Sequence, residues 1–273
     1  MIRSAVIMAG GLGTRMRRAD DTVTLEAAQV AAAESGMKGM IPIKRPFLEY
    51  LLSALADAGI TDVLVVIGPA HHEVRHYFTE VAPPRRVRLR FAVQPRPHGT
   101  ANAVTVAADA WREVGNVAPF LVLNADNYYP SAAFRALAAE DSAGVAAFDR
   151  DTLVREGNIE AERVRAFAVL DVSPEGMLRG IIEKPEGPVD LTAESTRWVG
   201  MNLWAVTPEL VEACRRVPQS SRGEFELPEA VALALREGVA VRAVRLREPV
   251  LDLSRRADIA AVVERLSHVD PRP

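Results

Sequence analysis

Three glycines, Gly10, Gly11 and Gly13, fall within four positions directly after an apolar run at residues 2–7. Because glycine has no Cβ and tolerates positive φ, the backbone of such a stretch can approach a ligand closely and direct its N–H groups toward it. Arg15 and two further arginines follow within five residues, and a guanidinium group matches the geometry of phosphate oxygens. A strand, a glycine-rich turn and then cations are the parts that a polyphosphate site requires.

Two common phosphate-binding loops do not fit this stretch. The dinucleotide fingerprint G-x-G-x-x-G would need glycine where Met16 stands, and the lysine of the P-loop does not follow these glycines. The stretch GGLGTRM instead resembles the signature G-G-x-G-T-R-[LM] of the sugar-1-phosphate nucleotidylyltransferases, although it lacks the proline that this family usually has shortly after the arginine. The alternative is a tight turn that only joins a strand to a helix.

The resemblance assigns roles to this stretch and to a lysine further along the chain. It implies that the following residues bind the nucleotide: Ala9, Gly10, Gly11, Gly13 and Thr14. It also implies that Arg15 holds the outer phosphates. Residues 37–43, MKGMIPI, resemble the family pattern P-K-x-L-x-P-V, with Met37 in place of the proline. Lys38 then corresponds to the lysine that stabilises charge at the α-phosphate as pyrophosphate leaves.

A third stretch, QPRPHGTAN from Gln94, resembles the family pattern for base recognition, Q-x-x-x-x-G-[TL]-[AG]-x-A. The resemblance implies that Gln94 reads the edge of a pyrimidine and that Gly99 and Thr100 complete the nucleotide site. A side-chain amide offers a donor and an acceptor, which suits the N3–H and O4 of uracil or thymine. The same amide could turn around to suit cytosine, so selectivity for uracil or thymine requires a second contact.

Two aspartates are candidate ligands of Mg²⁺. This ion prefers oxygen ligands and typically takes one or two carboxylates from the protein, with phosphates and water completing the set. Asp126 follows a predicted buried strand, and the resembling family has a metal-binding aspartate in that place. Asp252 stands in LDLSRRADI, which partly resembles the family's W-x-D-[IV]-G-T-x-x-D-[LI]. The alternatives are a cap at a strand end for Asp126 and a favourable charge near a helix N-terminus for Asp252.

Four residues are expected on the sugar-phosphate side of the site. Glu183 and Lys184 belong to an E-K-P stretch like that of the family, in which the glutamate takes sugar hydroxyls and the lysine the sugar's phosphate. Asn202 lies in GMNLW, where the family usually has glycine, and this change leaves the choice of sugar open. Asn124, two positions before the first metal candidate, completes the expected set.

Length and composition exclude several other classes of protein. The chain has 273 residues and a net charge of −3, so there is no general attraction to nucleic acid or to an anionic membrane. A membrane helix needs about 20 consecutive apolar residues, and no stretch of the sequence approaches this. The single cysteine, Cys214, suits a reducing compartment. We expect a cytoplasmic protein that binds an NTP and a sugar 1-phosphate, and a homo-oligomer stays open.

The order of predicted elements indicates an α/β fold. Buried strands near residues 2–8, 62–68 and 120–123 alternate with helices, which is typical of a doubly wound parallel sheet that binds ligands at the carboxyl ends of its strands. The resemblance implies a GT-A-like, Rossmann-like three-layer α/β/α arrangement. From residue 144 the helices become rarer, and strands at 145–148, 164–172 and 177–182 predict a small antiparallel lobe for the sugar.

We therefore expect one nucleotidyltransferase domain over residues 1–273. Its nucleotide-binding part is residues 1–143, and residues 144–273 form the sugar-phosphate part with a closing strand and helix. Residues 19–36 form an insertion beside the glycine loop, with a helix that Thr24 caps and Gly36 ends. This helix has few large apolar side chains, so we expect weak docking and hypothesise a lid. The alternatives are a neutral surface insertion and an oligomer contact.

The predicted reaction joins an NTP, with UTP or dTTP favoured, to a sugar 1-phosphate and releases pyrophosphate in a Mg²⁺-dependent in-line attack on the α-phosphorus. Use of GTP or CTP is an alternative within the same family. A GT-A glycosyltransferase would share the fold, but Asn124 stands where its D-x-D motif has the first acid. A nucleotide-sensing relative without catalysis would have lost a metal aspartate or the lysine, and the sequence contains all three.

Overall fold

The structure, a computed structural model, describes residues 1–20, 22–117, 119–165, 167–182 and 196–273. Its strands are β1 (Ser4–Ala9), β2 (Asp62–Ile67), β3 (Arg88–Val93), β4 (Phe120–Asn124), β5 (Asn127–Tyr128), β6 (Ala143–Asp149), β7 (Ala168–Val172), β8 (Leu178–Ile182), β9 (Trp198–Val206), β10 (Val241–Leu246) and β11 (Leu251–Asp252). Its helices are α1 (Thr14–Arg17), α2 (Ala27–Ser35), α3 (Phe47–Asp57), α4 (His72–His76), α5 (Thr100–Glu113), α6 (Ser131–Ala138), α7 (Arg150–Glu156), α8 (Ala161–Val164), α9 (Pro208–Arg216), α10 (Leu227–Arg236) and α11 (Asp258–Leu266). None of the helices in these ranges has the length and apolar character needed to cross a membrane.

The main sheet runs in the order β10-β6-β9-β4-β1-β2-β3. Strands β4, β1, β2 and β3 are parallel neighbours, and β10 is parallel to β6. Strand β9 is antiparallel to both β4 and β6 and joins the two parallel groups into one sheet. The prediction of a mostly parallel α/β sheet is confirmed, and the carboxyl ends of β1, β2 and β4 meet at one edge.

Helices cover both faces of this sheet. Ile7 of β1 packs in an apolar cluster with α3 and α6, whereas the adjacent Val6 packs in a second cluster with α5, α9 and α10. Because successive side chains of a strand point to opposite faces, a strand covered on both faces must be apolar throughout. This requirement explains the continuous apolar runs in the sequence and gives the predicted three-layer arrangement.

The second half of the chain differs from the sequence prediction in two respects. Strand β6, expected in a separate antiparallel lobe, lies in the main sheet beside β10. The strand expected at residues 164–172 begins only at Ala168, because residues 161–164 form helix α8. Alanine, glutamate and arginine favour helix in that segment. The predicted hairpin between β7 and β8 is confirmed, and β7 pairs with the edge of β9.

The insertion at residues 19–36 contains helix α2, which begins after Glu26 rather than at Thr24. Glu26 accepts a hydrogen bond from the N3 backbone, and Gln29 accepts one from the Glu26 backbone N–H over 3.1 Å, so the two side chains cap the helix reciprocally. Gly36 ends the helix with φ 75°, as predicted. Only Gln29 and Ala33 of α2 are buried, which agrees with a lightly packed helix. The lid stays a hypothesis.

Strand β9 contains a bulge at Asn202. Val145 of β6 pairs with Trp204 of β9, and the next pair is Ala147 with Gly200. Between these two pairs β6 advances by two residues and β9 by four. Asn202 lies within this excess with φ 54°, the one positive φ of a non-glycine residue in the described ranges. Asparagine tolerates this left-handed conformation better than other residues with a Cβ. The same requirement accounts for the glycine expected there from the resemblance.

We predict that Asn202→Val lowers the free energy of unfolding by about 1–3 kcal/mol, because a β-branched side chain is strained at positive φ. Asn202→Gly is the matched control and should leave the stability nearly unchanged, because glycine adopts this conformation freely. Urea unfolding of the three proteins measures the difference. Equal stability of the valine variant and the wild type would contradict the assignment of the bulge.

Candidate active site

The glycine loop lies at the carboxyl end of β1, where it can face a ligand. Its last glycine, Gly13, has φ 63° and precedes α1 directly. A Cβ on Gly13 would lie 2.4 Å from the carbonyl oxygen of Gly36, so both the conformation and the close contact require glycine. The end of the insertion is therefore packed against the loop, and Arg17 strengthens this contact by donating a 2.7 Å hydrogen bond to the Ser35 carbonyl.

A cavity of about 420 Å³ opens beside the loop. It is lined by these residues of the predicted set: Ala9, Gly10, Gly11, Gly13, Thr14, Lys38, Gln94, Gly99, Thr100, Asn124 and Asp126. Three other predicted residues do not line it: Arg15, exposed on α1, Asn202, at the bulge, and Asp252, buried at β11. Glu183 and Lys184 lie outside the described residues.

Gln94 is buried at the wall of this cavity with its amide held in one orientation. Its Nε2 donates to the Gly99 carbonyl over 3.0 Å and to Asn102 Oδ1 over 2.8 Å. Because a carbonyl carries no hydrogen, the amide nitrogen must face Gly99. The Oε1 atom faces Gly10, where a Cβ would lie 3.1 Å from it. Gln94 therefore presents an acceptor, with both its N–H groups engaged inside the protein.

A segment from the second half of the chain supports this wall. Phe225 exchanges backbone hydrogen bonds with the Gln94–Asn102 stretch, to the His98 carbonyl and from the Ala101 N–H, each 2.8 Å long. Gly99 has φ 97°, and a Cβ there would lie 2.4 Å from the Phe225 carbonyl oxygen. Glu224, beside this contact, lines the cavity. The His98 ring packs against the Phe225 ring at 6.4 Å between centroids.

Lys38 and Asp126 form an ion pair at the cavity, with Nζ 2.8 Å from Oδ2. Lys38 begins a 3₁₀ turn directly after the insertion, and Asp126 lies in the connection between β4 and β5. Both side chains are mostly buried, with 17% and 23% exposure. The structure therefore brings together a cation and an acid that are 88 positions apart in the sequence.

Asp252 reaches the neighbourhood of Asp126 because β11 pairs antiparallel with β5, placing Asp252 opposite Asn127. The Leu253 N–H donates a 2.8 Å hydrogen bond to the Asp126 carbonyl, which extends this pairing by one residue. The Asp252 carboxylate accepts hydrogen bonds from Ser254 Oγ at 2.8 Å and from Asn127 Nδ2 at 3.2 Å. It also forms an ion pair with Arg163 of α8.

The electrostatics of Asp252 suit a cation. Burial and the nearby Asp126 charge raise the pKa of Asp252 to about 6, against the lowering effect of Arg163 and Ser254. The described residues contain no group of three or more His, Cys, Asp or Glu side chains placed to hold a metal. Two neighbouring carboxylates nevertheless match the small protein share of a Mg²⁺ site, in which phosphates and water supply the other ligands. The residues present fit Mg²⁺.

Sequence reasoning missed several residues of this site. Arg163 contacts Asp252, and Asn102 accepts a hydrogen bond from Gln94. The local sequence around Arg163 and Asn102 indicates neither contact. His71 lines the cavity, with Nδ1 3.1 Å from the Ala9 carbonyl oxygen, and burial lowers the pKa of its imidazole. Glu224 stands in GEFELPEA, residues 223–230. This stretch resembles one of the family, which is the available signal, but its acids also suit the start of a helix.

Comparison with known proteins identifies the class. Residues 4–248 match the family model described as nucleotidyl transferase. The match spans most of the chain, and the chain belongs to this family.

Individual relatives narrow the comparison. A UTP–glucose-1-phosphate uridylyltransferase of Haloferax volcanii, AglF, is 28% identical over 96% of both chains. A glucose-1-phosphate thymidylyltransferase of Streptomyces antibioticus is 26% identical over 98% of this chain and 67% of its own length. Among solved structures, a UTP-bound UGPase from Acinetobacter baumannii superposes with a TM-score of 0.74 at 20% identity, over 99% of this chain and 96% of that one. This structural likeness confirms the expected fold.

Asp252 should make stability depend on pH in a metal-free buffer with EDTA. Its pKa rises from 3.8 to about 6 on folding, so between these values the folded chain holds a proton that the unfolded chain has lost. Relative to Asp252→Asn, the wild type should therefore lose on the order of 3 kcal/mol of unfolding free energy as pH rises through this window, and no more above it.

Urea unfolding at several pH values measures this effect. Asp171→Asn, the same change at an exposed position of β7, is the control and should keep the wild-type profile. A constant difference between the wild type and Asp252→Asn from pH 3.8 to about 6 would show that Asp252 is not the buried acid we describe.

Proposed function

We propose that this protein joins UTP or dTTP to a sugar 1-phosphate and forms an NDP-sugar and pyrophosphate. An oxygen of the sugar's phosphate attacks the α-phosphorus, and the bond from that phosphorus to the oxygen bridging to the β-phosphate breaks. The observation that carries this proposal is the single cavity lined by the glycine loop, Gln94, Lys38 and Asp126. The names of the uridylyl- and thymidylyltransferase relatives support the same substrates.

The chain's own residues supply charge and orientation for this reaction. Both reactants are anions, so the protein must bring positive charge to them and hold them in line. The N–H groups of the loop from Gly10 to Gly13 and the exposed Arg15 bind the phosphates. Lys38 stabilises charge at the α-phosphate. Asp126 and Asp252 would hold Mg²⁺, which supplies further positive charge at the phosphates when bound.

The sugar phosphate is assigned to the opposite side of the cavity from the base. Asn124, at the end of β4, lines the same cavity as Asp126, and we assign it to the sugar phosphate. Asn202, Glu183 and Lys184 complete the proposed sugar side on the strength of the motif resemblance. The cytoplasm, where both substrates occur, is the proposed location.

The orientation of Gln94 supports a preference for uracil or thymine. Its Oε1 is free to accept a hydrogen bond, so in this proposal it pairs with the N3–H of uracil or thymine and repels the unprotonated N3 of cytosine. Turning the amide would place Oε1 against the Gly99 carbonyl oxygen and sacrifice a hydrogen bond. We propose that this carbonyl is the second determinant that the sequence did not reveal.

A panel of NTPs and sugar 1-phosphates with Mg²⁺, read out as pyrophosphate release and as NDP-sugar by mass spectrometry, tests the proposal. We expect stoichiometric formation of both products with UTP or dTTP. Consumption of an NDP-sugar with transfer of the sugar to an acceptor would support a glycosyltransferase instead. Nucleotide binding without turnover on any sugar 1-phosphate would support the nucleotide-sensing alternative.

Replacing Lys38 should affect the reaction more than binding. We predict that Lys38→Ala lowers kcat and kcat/KM together by about 100-fold or more, because a group that acts in the transition state reduces both. Lys44→Ala is the matched control, since Lys44 lies six positions away and contacts the Ser267 carbonyl rather than the cavity. Steady-state kinetics with UTP measure this. A variant with raised KM and unchanged kcat would refute the role assigned to Lys38.

Base selectivity should respond to the hydrogen-bonding character of residue 102. In Asn102→Asp the side chain can only accept hydrogen bonds, which favours the present orientation of Gln94 with Nε2 toward residue 102. We expect the UTP-to-CTP ratio of kcat/KM to rise about fivefold. In Asn102→Lys the side chain can only donate, which favours the turned amide of Gln94, and the ratio should fall about tenfold. Asn102→Leu is the control, because it removes one hydrogen bond from either orientation equally. The same ratio in the aspartate and lysine variants would contradict the proposed orientation.

A further inference from the structure

Arg163 carries a guanidinium that bridges two buried carboxylates. It contacts Asp252 and also Asp258, the first residue of α11. The exposure of the three side chains is 18%, 5% and 3%, respectively. Buried charges of this kind persist when each has a partner, because leaving one unpaired is costly. Asp252, our candidate metal ligand, thus already has a cation beside it.

The two carboxylates hold Arg163 differently. Both Nη atoms of Arg163 contact Asp258, Nη1 at Oδ1 and Nη2 at Oδ2 over 3.3 Å, whereas Nη2 alone reaches Asp252. Asp258 also accepts 2.9 Å hydrogen bonds from the backbone N–H groups of Ser254 and Arg255. Asp258 is therefore the fixed anchor of Arg163, and the contact with Asp252 can break without releasing the guanidinium.

We propose that Arg163 is a positioning residue that serves as the counter-ion of Asp252 until a divalent cation takes its place. This inference rests on the proposed function, in which Asp252 binds Mg²⁺. Before the metal binds, Arg163 holds the Asp252 carboxylate in position and neutralises its negative charge. When the metal binds, Arg163 stays on Asp258 and releases Oδ2 of Asp252, the oxygen that it contacts in the free protein.

The charges around the site give this arrangement a consequence for metal affinity. Asp126 is paired with Lys38, and Arg163 is shared by Asp252 and Asp258. Arg255 in turn pairs with both Asp258 and Glu160. Four negative and three positive charges therefore leave one net negative charge. A divalent cation meets little attraction there, since each positive neighbour repels it. The phosphates of a nucleotide would supply the missing negative charge, so metal and nucleotide should bind together rather than in isolation.

The test is the binding of Mn²⁺ alone, without nucleotide or sugar phosphate, followed by EPR at pH 7.5. Arg163→Gln removes the competing cation, and we expect Mn²⁺ to bind at least about tenfold more tightly than to the wild type. Arg163→Lys keeps the charge and should restore weak binding. Arg165→Gln is the matched control, because Arg165 is exposed and pairs only with Glu162 among the described contacts.

The outcomes separate this inference from the proposed function. Tighter binding in Arg163→Gln that disappears in Arg163→Gln/Asp252→Asn supports the inference. Mn²⁺ binding to Arg163→Gln that is equal to or weaker than binding to the wild type overturns it. Removing a competing cation strengthens metal binding, whereas removing a purely structural contact weakens it. Binding that is unaffected by Asp252→Asn in every background overturns the metal assignment itself, and with it that part of the proposed function.

A second measurement covers the case in which Arg163→Gln does not fold. In a crystal of the wild type soaked with Mn²⁺ alone, we expect the metal on Asp252 and the Arg163 guanidinium on Asp258 only. Mn²⁺ bound at Asp252 with the Arg163–Asp252 contact still intact would overturn the inference.

Discussion

Repulsion between two carboxylates, Asp126 and Asp252, is the constraint to which the rest of the site responds. The antiparallel pairing of β5 with β11 holds them near each other, and burial weakens the screening that water would provide. Each acid has acquired its own cation from a different part of the chain, Lys38 for Asp126 and Arg163 for Asp252. In the free protein each of these two acids thus has a cation beside it, although Arg163 also pairs with Asp258. A bound metal with its phosphates would replace part of this pairing.

The insertion contributes to the same arrangement. Gly36 packs on Gly13 of the glycine loop, and the chain then reaches Lys38 two residues later. The position of Lys38 is therefore set by a backbone contact that only two glycines permit. Met16 and Ala33 share an apolar cluster with residues of α3, β11 and α11, which joins the loop, the insertion and the segment that carries Asp252. The insertion is lightly buried, but its end is part of the framework of the site.

Local patterns in the sequence were sufficient for the elements that depend on local physics. The apolar run of β1 and the glycines after it predicted a strand and a loop, because burial on two faces and positive φ restrict which residues can stand there. The phosphate site stays a prediction. Gln94, Lys38 and Asp126 came from short motifs, and all three line one cavity. The prediction that β6 belongs to a separate lobe is wrong. The apolar sequence of a buried strand is the same whether it lies in the main sheet or in a lobe.

Other parts of the site depend on contacts between distant segments and leave no local trace. Arg163 stands in AERV, an ordinary helical sequence. Its proposed role depends on its contact with Asp252, which is 89 positions away in the sequence. The orientation of the Gln94 amide follows from the Gly99 carbonyl and Asn102, and a sequence pattern does not report which way an amide points. Asn202 seemed a departure from the family pattern until the bulge of β9 showed that its position demands a positive φ.

In the proposed reaction the sugar phosphate displaces pyrophosphate directly at the α-phosphorus, without a nucleotidylated enzyme. Cys214 is an unsuitable nucleophile, since burial raises the pKa of its thiol to about 12. A covalent route would instead use the imidazole of His71, which lines the cavity. The decisive measurement uses a single diastereomer of UTPαS with a sugar 1-phosphate that the enzyme accepts, and determines the configuration of the product's α-phosphorus. We predict inversion, the result of one in-line displacement. Retention would require two displacements and would contradict the account.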